Sequence, residues 1–296
     1  PQIDVIISGH DHDALFEPAV VDNTVIAASG VKGRYVGKLL LEGDSIAEYA
    51  LVPLERVNKR PESMSAAEKN FGSWLDSSRA RVAGIFEDRE KINIYDTIAF
   101  LKKDYARADD NQWELPLARH IAMSYASAAS RYSGGMPLAV LPYGTIREGL
   151  ERGAVTYGDA FEVLSLGMAD DGSYGSPLVY AYIKGKDLKD LCELNAVAAK
   201  TGMEDEHLFF AGVSYSYNRY RLPFARVTDV YVNGSELDKN SLYPIVTDLY
   251  TSQLLGRVRS SSFGLLNVTP RDSLGKESGF VTLPVKGWRA FAEYLK

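Results

Sequence analysis

The sequence predicts an α/β (α+β) protein. After Ser65, short apolar runs of strand character alternate with amphipathic segments of helical spacing. The last third is rich in strand-like runs, and the stretch before residue 58 holds only a few of them, punctuated by glycines. The 296 residues, 46% hydrophobic and 24% charged, can bury a core and are enough for one large domain or two medium ones. A net charge of -6 offers no broad basic surface, so a nucleic-acid partner is not expected. No apolar run reaches about 18 residues, so no membrane span is expected. No signal peptide is visible. The chain begins without Met inside a strand-like run, so an upstream segment is expected to be missing.

Asp4–Ser8 is a β-branched apolar run that reads as a buried strand, followed by the loop Gly9-His10-Asp11-His12-Asp13. Thr24–Ala28 and Tyr35–Leu41 read as further strands, too few to make a stable sheet alone. Asn58–Ser63 is a polar linker containing Pro61. Ser65 and Glu68 then form a capping-box pattern that opens a helix through Val82, with Phe71, Leu75 and Val82 as its apolar stripe. A second helix is expected from Leu115 to Ser130, with Leu117, Ile121, Ser124/Tyr125 and Ala128 on one side.

Leu138–Leu141 reads as a buried strand stopped by the turn Pro142-Tyr143-Gly144, and Ile146–Leu150 as a short helical turn. Thr156–Val163 is a short helix with Thr156 as N-cap and Asp159 in its first turn. Leu178–Ile183 is a strand and Asp187–Lys200 an amphipathic helix carrying the single cysteine, Cys192, which reads as a small buried hydrophobe rather than a reactive thiol. Gly212–Tyr217, Arg226–Val232 and Tyr243–Asp248 are strands, with Asn233-Gly234 as a tight turn.

His10 and His12 are the sharpest chemical feature. Alternate residues on an extended segment point the same way, and imidazoles with carboxylate co-ligands suit Zn, Fe, Ni or Mn. Two exposed loop histidines are the other reading of the same residues. Ser8-Gly9-His10-Asp11-His12 resembles the last metal-binding motif of calcineurin-like metallophosphoesterases, in which each histidine ligates one metal of a pair. Such a pair clamps a phosphate and activates a hydroxide. Ala28-Ser29-Gly30 and Val36-Gly37-Lys38-Leu39 are similar to the segments that finish that domain in 5'-nucleotidases. The resemblance implies two divalent ions (Zn, Mn or similar) in a full-length parent. The family's remaining ligand motifs are not in this chain, whose other histidines are His120 and His207. The chain alone is therefore expected neither to hold the metal pair stably nor to hydrolyse phosphate esters.

Residues 65–268 resemble the C-terminal part of the 5'-nucleotidase family. Leu138-Ala-Val-Leu-Pro-Tyr-Gly-Thr-Ile-Arg147 is similar to the family's strand followed by Asn-x-Gly-Gly-Ile-Arg. Gly153–Leu164 matches the next block, and Gly185, Leu188 and Leu191 fall in the block after it. Gly212–Tyr217 and Val227–Leu237 resemble the strands that follow. The resemblance implies a mixed-sheet domain that binds a nucleotide or a related phosphorylated small molecule, preceded by strands left from a metallophosphoesterase β-sandwich. The implied division is 1–57 as that remnant, 58–84 as linker and helix, and 85–296 as the recognition domain. It also implies a periplasmic or extracellular setting, although one cysteine equally fits a reducing cytosol.

Arg147 matches the arginine of the family motif, where its forked donors would meet an anion or a ribose hydroxyl. A surface arginine capping a helix, or paired with Glu148 or Glu151, is the alternative. Tyr143 and Gly144 sit in the same motif, but Pro142 or Tyr143 replaces its asparagine and Thr145 one glycine. In the family a Pro-Phe-Gly-Asn block stacks its Phe on the base. In the aligned stretch Ser165-Leu166-Gly167-Met168, Leu166 takes the ring's position and Met168 that of the asparagine. In the family a second aromatic is followed by Gly-Gly-Asp-Gly, whereas here Thr247-Asp248-Leu249-Tyr250 leads into Gln253-Leu254-Leu255-Gly256 and the Gly-Gly-Asp is gone. These departures keep a second reading open, a non-catalytic binding module with a rebuilt pocket.

Overall fold

The computed structural model describes residues 3–10, 13–31, 33–54, 65–107, 115–198, 207–253 and 268–296. The chain divides into two compact units, Pro1–Asp76 and Ser77–Lys296. In the first unit, β1 (Val5–Ile7) lies parallel to β3 (Thr24–Ala27), which pairs antiparallel with β2 (Ala19–Val21). The β2–β3 turn uses Asp22 (φ 46) and Asn23 (φ 70), a left-handed pair that polar residues of this kind tolerate. β4 (Tyr35–Glu42) and β5 (Ser45–Pro53) form a separate hairpin.

The division falls inside α1 (Ala66–Glu90). The expected capping box is present: Ser65 N–H donates to Glu68 Oε2 at 2.7 Å, and Glu68 N–H to Ser65 Oγ at 3.2 Å. The apolar stripe expected at Phe71, Leu75 and Val82 is not buried along its length. Phe71 and Val82 are exposed, and the helix runs two turns further to bury Phe86. Apolar spacing marks a helix face as core only where another element covers it, and in the second unit that happens at Phe86.

The second unit is built on a mixed five-stranded sheet in the order β10 (Leu208–Ala211), β7 (Leu138–Pro142), β14 (Leu242–Asp248), β9 (Pro177–Lys184), β15 (Val281–Lys286). β7 and β14 are parallel and the other neighbours antiparallel. Alternation along β7 divides the core. Ala139 and Leu141 join the cluster formed with α2 (Pro116–Ser133), α3 (Tyr157–Val163) and α5 (Gly287–Leu295). Leu138 and Val140 join Leu188 and Leu191 of α4 (Gly185–Ala198) on the other face. A strand buried on both faces reads as a continuous apolar run, as β7 does.

β11 (Val213–Tyr217), β12 (Val227–Val232) and β13 (Ser235–Glu236) form a small antiparallel sheet whose β12–β13 turn is Asn233 (φ 49)–Gly234 (φ 82). Cys192 is fully buried on α4, and burial pushes its thiol up to about 12, as expected of an inert side chain. Ile146–Leu150 is not a helical turn. Leu150 bridges Tyr105 through paired backbone hydrogen bonds of 2.7 and 2.8 Å. A Cβ at Gly149 would sit 2.6 Å from Tyr105 O, so only glycine permits this approach. The Tyr105 segment follows β6 (Thr97–Leu101), which pairs with β8 (Gly153–Thr156). Among the described residues no helix is long and apolar enough to cross a membrane.

Candidate functional site

The parallel pair β7–β14 ends at Pro142 and Asp248 on the same edge of the sheet. β9 starts there, because Leu178 pairs with Asp248, and His207 precedes β10 there, because Leu208 pairs with Pro142. Loops beyond the carboxyl ends of parallel strands are the usual ligand-binding position in open α/β sheets.

After β7 the chain makes a single 3₁₀ turn, Tyr143–Thr145. Thr145 Oγ1 donates to Pro142 O at 2.7 Å and Ile146 N–H to Tyr143 O at 2.9 Å. Tyr143 N–H donates to His207 O at 2.7 Å, which ties the turn to the neighbouring strand. Burial pushes the His207 imidazole down to about 4, so it is neutral at physiological pH. Arg147 is half-buried; its Nη1 donates to Gly144 O at 3.2 Å. A second guanidinium comes from outside the motif. Arg107 Nε donates to Ile146 O at 2.6 Å, and its guanidinium carbon lies 5.0 Å from the centre of the Tyr143 ring. Two arginines are thus fastened by carbonyls of one short turn. Each keeps further N–H donors on a planar fork suited to phosphate or carboxylate. Arg107 carried no motif signal, and the Tyr105–Leu150 bridge brings it to this turn.

Leu166 and Met168 open a hairpin excursion that closes before β9. Ser176 N–H donates to Leu166 O at 3.0 Å, Gly175 N–H to Gly167 O at 3.1 Å, and Ala169 N–H to Ser173 O at 2.9 Å. Leu166 is half-buried and Met168 is 58% exposed. The residues directly preceding β9 are Tyr174, Gly175 and Ser176. Tyr174 is 44% exposed, and its ring stacks on Phe86 at 6.1 Å and 30°. Gly175 (φ 93) is required, since a Cβ there would lie 2.3 Å from Trp288 Cδ1.

Asp248 ends β14 fully buried. Its carboxylate accepts from Thr251 N–H at 2.9 Å and Thr251 Oγ1 at 2.7 Å. Burial raises its pKa despite these bonds, and its charge in turn adds to the rise at buried Tyr125. Leu249 is half-buried, and Tyr250 is 38% exposed with its N–H donating to Ser176 Oγ at 3.0 Å. A cavity of about 10 Å³ between Tyr125, Thr145, Leu166, Ser176, Asp248 and Trp288 lies beneath these segments. It is at the lower limit for one water molecule. Tyr143, Gly144, Arg147, Leu166, Leu249 and Tyr250 therefore belong to loops at one edge, with Met168 on the outer part of the excursion.

His10 is exposed in the first unit, with left-handed backbone at φ 74. His12 lies outside the described residues. Among the described residues no three His, Cys, Asp or Glu side chains gather as a metal site. His10 by itself does not make a dinuclear centre.

The family model described as "5'-nucleotidase, C-terminal domain" matches residues 97–257, more than half of the chain. The chain belongs to this family. The matched span of this 5'-nucleotidase C-terminal domain holds Arg107, Tyr143, Arg147, Tyr174 and Tyr250, which lie on segments at this edge of the sheet. The chain is 23% identical to the trifunctional nucleotide phosphoesterase protein YfkN of Bacillus subtilis, over 99% of this chain and 19% of that protein. It is 24% identical to the uncharacterized metallophosphoesterase YunD of Bacillus subtilis, over 85% of this chain and 52% of that one. The chain thus spans about half the length of one relative and a fifth of the other. A crystal structure of a 5'-nucleotidase precursor from Thermus thermophilus superposes with a TM-score of 0.64 at 20% identity, covering 99% of this chain and 56% of that one. At that identity the likeness shows the fold.

Proposed function

We propose that this chain is the substrate-recognition part of a metal-dependent phosphoesterase that hydrolyses a phosphate monoester of a nucleotide or a related small molecule. The observation that carries this is the pairing of Arg107 and Arg147 on the Tyr143–Ile146 turn, at the carboxyl edge of β7 and β14. Their free donors would hold the anionic or hydroxyl-bearing part of the substrate. Tyr174-Gly175-Ser176 repeats the aromatic–glycine–polar order of the family's stacking block and directly precedes β9. We assign the base-facing ring to Tyr174 on this ground, with Tyr250 from the neighbouring loop. A base on an aromatic ring contributes about 1–3 kcal/mol.

In this reading residues 1–57 are the tail of a metallophosphoesterase domain, 58–84 a linker and helix, and 85–296 the recognition domain of an exported protein. His10 and His12 would complete a metal pair whose other ligands come from elsewhere in a longer chain. That pair would supply the activated hydroxide, so this chain by itself is expected to be inactive.

Thermal shift and calorimetry with AMP, adenosine and ribose 5-phosphate test the reading. A ligand at 100 times its dissociation constant stabilises by about 2.7 kcal/mol. AMP is expected to bind and to weaken in Arg147→Ala; no response to any of the three would sink the recognition role. Robust phosphate release from AMP by the purified chain with Mn²⁺ or Zn²⁺ would overturn the inactivity.

A further inference from the structure

We propose that the last turn of α1 is a clamp that fixes the Tyr174 loop, with Arg89 as its positioning residue. The functional consequence rests on the reading of Tyr174 as the ring of the recognition site.

Phe86, Arg89 and Glu90 stand at positions i, i+3 and i+4, so they share one face of the helix. Phe86 and Arg89 touch the loop directly, and Glu90 holds the strand end that ties its base. Phe86 is buried and lies under the Tyr174 ring. It is itself held edge-on by Phe161 at 5.1 Å and by Trp288 at 5.9 Å. Arg89 Nη1 donates to Gly172 O at 2.6 Å, at the tip of the excursion. Glu90 forms a largely buried ion pair with Lys286. The next residue, Gly287, donates its N–H to Ser176 O at 3.0 Å, at the base of the loop. Trp288 Nε1 donates to Tyr174 O at 3.2 Å. Ring, tip and base of the loop are thus tied to one helical turn and to the start of α5.

Within the loop, the bonds are short-range. Gly172 N–H donates to Ala169 O at 2.9 Å, and Asp171 accepts from Ser173 N–H at 2.8 Å and from its hydroxyl. Such bonds define a turn but do not fix it against the body of the protein. Arg89 is the one described side chain of α1 that donates to the tip, and a charge-assisted bond of that length constrains it directionally. Arg89 and Lys286 also both favour the ionised form of Asp171, after its hydrogen bonds from Ser173. The loop's acidic tip is therefore matched to the cations near it.

Arg89 is exposed, so its replacement does not threaten the fold. The test combines hydrogen exchange of residues 166–176 with adenosine calorimetry, in the wild-type chain, Arg89→Ala and Arg89→Lys. In Arg89→Ala, exchange of the tip amides is expected to rise about tenfold while the global unfolding midpoint barely moves. The adenosine dissociation constant is expected to rise several-fold, and Arg89→Lys to fall between. Unchanged exchange in Arg89→Ala overturns the clamp. Raised exchange with unchanged adenosine affinity overturns its positioning role. If the wild type binds no adenosine, the assignment of Tyr174 as the ring fails, while the exchange data still decide the clamp.

Discussion

The guanidinium of Arg107 lies 5.0 Å from the centre of the Tyr143 ring while its Nε holds the carbonyl of Ile146 at 2.6 Å. One side chain therefore covers the ring that begins the turn and ties down the carbonyl that ends it. Replacing Arg107 by alanine removes both contacts and one of two cations at the site. AMP affinity is expected to fall about 5- to 30-fold, or roughly 1–2 kcal/mol. Arg107→Lys keeps the charge but not the planar fork, so calorimetry should show little recovery.

Gly175 faces the indole of Trp288 across 2.3 Å of space for a Cβ, with φ at 93. Gly175→Ala combines a clash with a fully buried ring and a strained backbone. A loss of about 2–4 kcal/mol is expected in urea unfolding, with an unchanged m-value.

His207 carries a pH dependence of known sign. Burial lowers its pKa from 6.5 to about 4 in the folded protein. The neutral ring favours folding, so its contribution is present above pH 6.5 and is lost as pH falls towards 4. In His207→Gln the fall of the melting temperature across that interval should be shallower than in the wild type. Parallel curves for the two proteins would refute this.

Thr156 caps α3 reciprocally. Asp159 N–H donates to Thr156 Oγ1 at 3.2 Å, and Thr156 N–H to Asp159 Oδ2 at 2.7 Å. Thr156→Ala should cost about 1 kcal/mol in urea unfolding, and Thr156→Ser should recover most of it.

The Ser65–Glu68 capping box and the Thr156 N-cap were legible in the sequence because capping is a contact between residues a few positions apart, while the reciprocal bond from Asp159 came with the structure. The buried strand Leu138–Leu141 and the Asn233-Gly234 turn were legible for the same reason, as local chemistry written in consecutive residues. The strands β6, β8, β10 and β15 were not, because short edge segments gain their hydrogen bonds from partners far along the chain. The apolar stripe of α1 is misleading because spacing shows which residues share a face but not what covers them. Arg107 is silent in the sequence because a lone arginine has no signature until a bridge between Tyr105 and Leu150 carries it to the turn.

The sequence by itself determined the fold class, the order of most helices and strands, the family of the second unit and the Arg147 turn. These follow from local propensity, periodicity and motif order, which act over a few residues. Only the tertiary structure decided that Arg107 joins Arg147, that the Tyr174 ring stacks on Phe86, and that Asp248 is buried beside Tyr125. Those relations depend on which strands lie side by side and on how far a seven-residue excursion from Gly167 to Ser173 shifts the residues that follow it. Adjacency across a sheet is set by packing over the whole domain, and no local pattern encodes it.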